Sequence, residues 1–191
     1  MGWRRWAALA ASALLASCAS GRSAQGPSTT RAPGAATPRS EVVSPKEEYF
    51  VDTENGFRIQ RPDATWAFRP GHDLATENIA VPLVIANTGS QAQVVVQVAP
   101  AVASPSQFAA RLTVGLKARA GFETTDIQPI PLADGAVGFD FEVGDQVHGR
   151  VAILDGTEGR VFVLLATWPR SAPQGVERQV DQIFSSMHTA Q

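Results

Sequence analysis

Carboxylates, histidines and tryptophans are the side chains through which this chain could do chemistry, and their spacing decides which chemistry is open. Asp140 and Glu142 alternate along Phe139-Asp140-Phe141-Glu142-Val143, with Asp145 close behind and Asp134 just ahead. Oxygen ligands at such spacing could hold calcium. Alternate positions on an antiparallel strand are also where solvating charges sit, and the defined calcium-loop pattern is absent, so the solvating role is the expectation and no metal is assigned. Asp155-Gly156-Thr157-Glu158-Gly159 reads as turn chemistry in the same way. His72, His148 and His188 show no His-x-x-x-His spacing on a common element, which leaves each a surface or structural role. A Gly-x-Ser-x-Gly elbow is missing, and Gly89-Ser90 falls in a hairpin loop rather than a strand-to-helix turn. The glycines between 135 and 159 suit turns and bulges and make no phosphate-cradling loop before a helix. No catalytic residue and no cofactor is therefore expected. Trp66 and Trp168, each near a strand end and close to a proline, could line a groove for a peptide or a small apolar ligand; core packing accounts for them as well.

The only cysteine, Cys18, has a different setting. Arg4 and Arg5 precede an apolar run from Ala7 to Ala16, too short to cross a bilayer as a permanent helix, and Leu15-Ala16-Ser17-Cys18 closes it. This pattern resembles a bacterial lipoprotein signal. The resemblance implies peptidase recognition of Leu15, Ala16 and Ser17, a diacylglyceryl thioether on Cys18, cleavage before it, and acylation of the new amino group. Two or more acyl chains at about 0.8 kcal/mol per buried methylene make a lasting membrane anchor. Ala19, where an aspartate would retain the protein in the inner membrane, implies an outer-membrane address. An ordinary secretory signal and a twin-arginine signal are the alternatives, the latter lacking the residues that usually flank its arginine pair.

Three segments follow from composition: residues 1–17 as signal peptide, 18–45 as lipidated cysteine and spacer, and 46–191 as one folded domain. The spacer is built of Ser, Ala, Gly, Pro, Thr and Arg with no aromatic residue. It cannot bury enough apolar surface to offset its ordering entropy, and its random-coil reach is about 30 Å. From Lys46 onward eleven Lys and Arg face seventeen Asp and Glu, so the domain is acidic and nucleic acid is not its partner. With Cys18 committed to lipid, no disulfide or thiolate chemistry remains.

The elements that must position these groups are legible from period and punctuation. Ser104-Pro105-Ser106-Gln107 has the form of a capping box, with Phe108, Leu112 and Leu116 on one stripe and Gly121 as the stop. A second helix is expected to open at Ser171-Ala172-Pro173-Gln174 and to carry Val176, Val180, Ile183, Phe184 and Met187 on one face. Strands are expected over 56–61, 65–68, 81–86, 93–98, 122–130, 137–143, 147–154 and 161–168. Val161 to Leu165 is apolar at every position, which calls for a strand covered on both faces by helices. The fold class is thus α+β.

Gly56-Phe57-Arg58-Ile59, Pro62, Trp66, the Ser-Pro helix after an apolar hairpin, and Trp168-Pro169 before Ile183-Phe184-Ser185-Ser186-Met187 resemble the PsbP-like superfamily, including bacterial DcrB-like lipoproteins. The resemblance implies an antiparallel β-sheet sandwiched by helices and a noncatalytic role. The expectation is a lipid-anchored envelope protein, facing the periplasm, that binds a protein partner as an adaptor or assembly factor. A periplasmic carrier or sensor of a small ligand or metal is the alternative. Replacing the thiol tests the anchor directly: Cys18→Ser should abolish labelled palmitate incorporation and move the protein from the membrane to the soluble fraction on ultracentrifugation.

Overall fold

The structure, a computed structural model, describes residues 48–156 and 159–189. The lipidation motif at Leu15 to Cys18, the spacer to residue 45, and Thr157 and Glu158 of the second hairpin loop lie outside the described residues.

The all-apolar segment forms the longest strand, β10 (Arg160–Pro169), buried from Val161 to Trp168. It lies between β5 (Ala92–Pro100) and β9 (Val147–Asp155), antiparallel to both. Beyond them β3 (Trp66–Pro70), β4 (Ala80–Asn87), β8 (Val137–Val143) and β6 (Phe122–Thr124) complete one sheet in the order β3-β4-β5-β10-β9-β8-β6. Because strand residues alternate, the sheet sends Val95, Val151, Val163 and Leu165 to one face and Val94, Val96, Leu164 and Ala166 to the other.

Helix α1 (Pro105–Lys117) covers the first face with Phe108, Leu112 and Leu116, each such buried side chain contributing about 1.5–3 kcal/mol. Its capping box is as expected: Ser104 Oγ accepts from the Gln107 amide at 3.3 Å, and Gln107 Oε1 accepts from the Ser104 amide at 3.4 Å. Helix α2 (Val176–Ser185) lies on the second face with Val176, Val180, Ile183 and Phe184 inward. It shares that face with a three-stranded sheet, β1 (Tyr49–Asp52), β2 (Phe57–Gln60) and β11 (His188–Thr189), in the order β1-β2-β11. Phe50, Phe57, Phe68 and Phe162 join the two sheets through ring contacts of 5.5 to 5.9 Å. The expected α+β class holds, with this small sheet as an addition to the helical cover. Among the described residues no helix is long and apolar enough to cross a membrane.

Three expectations are corrected. The second helix opens at Val176, not at Ser171, because Gly175 has φ +99°, a left-handed conformation that interrupts a helix; residues 170–175 make turns and a bend instead. The first helix stops at Lys117, and Gly121, at φ +83°, belongs to the turn that follows. The strand expected over 122–130 is split into β6 and β7 (Gln128–Pro129), both paired with β8. Between them the Thr125 amide still donates to the Asp140 carbonyl at 2.9 Å, but its hydroxyl accepts from the Asp140 amide at 2.9 Å, so a side chain takes one ladder bond where the strand breaks.

Gly149, in the middle of β9, allows the Phe141 ring to lie across the sheet: a β-carbon there would meet the Phe141 Cζ at 2.1 Å. Phe141 is fully buried and stacked on Phe122 at 6.1 Å, so it has nowhere to retreat. Gly149→Ala should therefore lose about 1–3 kcal/mol in urea unfolding, as overpacked cores do. Combined with Phe141→Leu, the loss should be smaller than the sum of the two single changes.

Candidate functional site

The pairing of β8, β9 and β10 aligns two polar rows on the α2 side of the sheet. Glu142 pairs with His148, which pairs with Trp168; one step inward Asp140 pairs with Arg150. Asp140 and Glu142 leave the α1 core as their alternation requires, yet they are not simply solvated. Arg150 holds Asp140 bidentately, Nε to Oδ1 at 2.7 Å and Nη2 to Oδ2 at 3.1 Å. The same guanidinium donates to Glu177 Oε1 at 2.8 Å and to Asp181 Oδ1, two carboxylates one turn apart on α2. Its carbon lies 6.0 Å from the Trp168 ring centre. The bonds to Asp140 raise its already high pKa, burial opposes this, and the charges of Asp140 and Asp181 add to the rise. With its pKa raised, the guanidinium stays charged throughout the physiological range.

Glu142 holds a second set of contacts. Its Oε1 lies 3.2 Å from His148 Nδ1, and its Oε2 accepts from Arg170 Nη2 at 2.9 Å. The His148 ring lies 6.1 Å from Trp168, tilted by 30°. Arg170 thereby ties the turn before α2 to the sheet.

Around these contacts runs a groove in two parts. A cleft of about 620 Å³ has Glu142, His148 and Trp168 on its floor, Glu123 at one rim, and Arg170 and Gln174 at the other. A second, more apolar pit of about 390 Å³ is lined by Ile130, Leu132, Phe184, Gly138 and Ala152. The two share Thr125, Asp140 and Arg150, so the arginine cluster stands between two parts of one groove beside α2. Gly138 and Ala152 are partners on β8 and β9, and their small size lowers the floor of the pit.

The expected groove between Trp66 and Trp168 is not formed. Both rings lie on the α2 side, but Ala92, Val176 and Val180 share one buried cluster with them. Trp66 is fully buried, donates Nε1–H to Gln179 Oε1 at 3.2 Å, and lines neither part of the groove; of the two, only Trp168 contributes to its lining. Asp134 and Asp145 sit in exposed turns, and His72 and His188 lie on other elements. Among the described residues no group of three or more His, Cys, Asp or Glu side chains is placed to hold a metal ion. Sequence reasoning did not find Arg150, Arg170, Glu177 or Asp181. A signal existed: counting back from the Gly144-Asp145 turn places Arg150 opposite Asp140, and Glu177 and Asp181 have the i, i+4 spacing of one helical face.

No protein-family model matches the sequence, and no curated protein matches it. Solved structures do. The solution structure of cyanobacterial PsbP (CyanoP) from Synechocystis sp. PCC 6803 is similar with a TM-score of 0.53 at 13% identity, over 82% of this chain and 98% of that one. The Ran-binding protein Mog1p of Saccharomyces cerevisiae is similar with a TM-score of 0.50 at 12% identity, over 74% of this chain and 94% of that one. At such identities the likeness is one of fold, and it is the PsbP-like fold that the sequence resembled.

Arg150 joins β8, β9 and α2 through one side chain, so its removal tests the site's rigidity. Arg150→Met should cost about 1–3 kcal/mol in urea unfolding at neutral pH, a range reduced from that of buried pairs because the three carboxylates are partly exposed. Arg150→Lys should recover less than half, since an ammonium cannot reproduce the planar fork.

Proposed function

We propose that this chain is a noncatalytic binding protein of the bacterial cell envelope, held at the outer membrane by lipid on Cys18 and facing the periplasm. In this reading residues 19–45 act as a spacer, and the domain binds a protein partner through the groove beside α2. The observation that carries it is the groove itself: a cleft of about 620 Å³ whose charged walls are already locked to one another by Arg150 and Arg170. Locked walls lose little side-chain entropy on association, which favours binding. The likeness of fold to a protein described as Ran-binding supports protein recognition as a use of this architecture.

The noncatalytic part draws on the fold's likeness to a protein described as Ran-binding, and His148 Nδ1 faces Glu142, whose other oxygen accepts from Arg170. A second reading, a periplasmic carrier of a small apolar ligand, draws on the pit beside Phe184, whose volume of about 390 Å³ falls among ligand-sized cavities.

Site-specific photocrosslinking in intact cells tests the proposal. A photoreactive residue at Gln174, in the groove, should give one discrete adduct in the lipidated chain and a weaker one with Cys18→Ser. The same residue at Val114, exposed on the opposite helix α1, should give none. Equal adducts from both positions, or no adduct together with a thermal shift on adding lipid extract, would overturn the adaptor reading in favour of the carrier.

A further inference from the structure

The pit beside α2 is apolar where it is deepest and acidic where it opens. Ile130, Leu132 and Phe184 line it over the small residues Gly138 and Ala152, a space suited to one large aliphatic or aromatic side chain. The groove that contains it carries six carboxylates, at positions 123, 126, 140, 142, 177 and 181, against the guanidinium groups of Arg150 and Arg170. Arg150 spends its fork on Asp140, Glu177 and Asp181, and Arg170 contacts Glu142. Glu177 and Asp181 are exposed and each gives Arg150 a single oxygen, leaving the other to a ligand. Among the described residues Glu123 and Asp126 stand exposed at the rim with no ion pair.

We infer that the groove takes an extended segment of a partner protein in which Lys or Arg side chains flank one large apolar side chain. The apolar residue enters the pit, and the flanking cations meet the carboxylates on either side of the arginine cluster. This rests on the proposed protein-binding role and specifies its partner. Charge complementarity selects the occupant. An anionic ligand would meet excess negative charge, as would an anionic lipid surface, and a neutral apolar segment would leave the exposed carboxylates without a gain. The pairing is set between solvent-exposed charges at the rim, so it weakens as salt shortens the screening length.

Fluorescence anisotropy tests this with the mature-length chain carrying Cys18→Ser. The probe is a fluorescein-labelled peptide, Gly-Lys-Arg-Leu-Arg-Lys-Gly, compared with versions in which Leu is replaced by Ser or the four cations by Glu. The parent peptide should bind at least about tenfold more tightly than either version and weaken about tenfold between 50 mM and 500 mM salt. Asp126→Lys, at an exposed residue outside the Arg150 network, should weaken it several-fold without altering the unfolding midpoint. Leu132→Ser should also weaken it several-fold through the pit, with some loss of stability because Leu132 packs against the core, while Val114→Lys on α1 should leave binding unchanged. Equal binding of the three peptides, or binding insensitive to both Asp126→Lys and Leu132→Ser, would overturn the inference. A Gln174 adduct that forms in cells but is not competed by the parent peptide would also overturn it while leaving the adaptor reading intact. Peptide binding as expected with no Gln174 adduct would sustain the inference about the groove and remove the adaptor reading.

Discussion

Strand β10 imposes the constraint on which everything else rests. Eight consecutive residues, Val161 to Trp168, are buried, so neither face of the sheet at its centre can be left to water. Two covers are required, and the chain provides them with α1 on one side and α2 with the three-stranded sheet on the other. The covers are shorter than the sheet is wide. On the α2 side the cover ends at β9, while the sheet continues to β8 and β6, and the groove is the space left where helix stops and sheet goes on.

That margin would be a liability if it were apolar throughout, because an uncovered sheet face invites nonspecific association. The chain places Arg150 there instead. A guanidinium reaching three carboxylates on two elements satisfies its own donors and fixes the distance between α2 and the floor. Arg170 does the same for the turn before α2 through Glu142. The resulting cleft has polar walls, and the apolar pit lies on the other side of the arginine cluster.

The parts of this arrangement that were legible in the sequence are those dictated by local rules. The Ser104 capping box, the alternation of buried Phe139 and Phe141 with half-buried Asp140 and Glu142, and the two-sided burial of β10 each depend on residues a few positions apart, and each is present as read. Misplaced features depend on a single backbone torsion or on distant partners. Ser171 and Pro173 imitate a helix start, and only the left-handed Gly175 displaces it. Thr125 resembles a strand residue until its hydroxyl bonds the Asp140 amide. Trp66 and Trp168 stand near strand ends, as read. Whether the space between them was open depended on where a helix more than a hundred residues from Trp66 would lie, as its bond to Gln179 shows.

The carboxylates illustrate why site and fold separate in this way. Asp140 and Glu142 could be assigned to one strand face from their spacing alone, but their meaning came from Arg150, ten residues on, and from Glu177 and Asp181 on the last helix. A surface charge and a structural staple have the same local sequence and differ only in what the tertiary fold brings opposite. The proposed anchoring adds a further consequence. A domain confined to about 30 Å of a membrane by a short spacer meets partners in that membrane at an effective concentration near the millimolar range, so a groove of modest intrinsic affinity suffices for occupancy. Polar walls that release a partner readily are then better suited to the role than a fully apolar pocket, which would gain affinity and lose discrimination among the many apolar segments of the envelope.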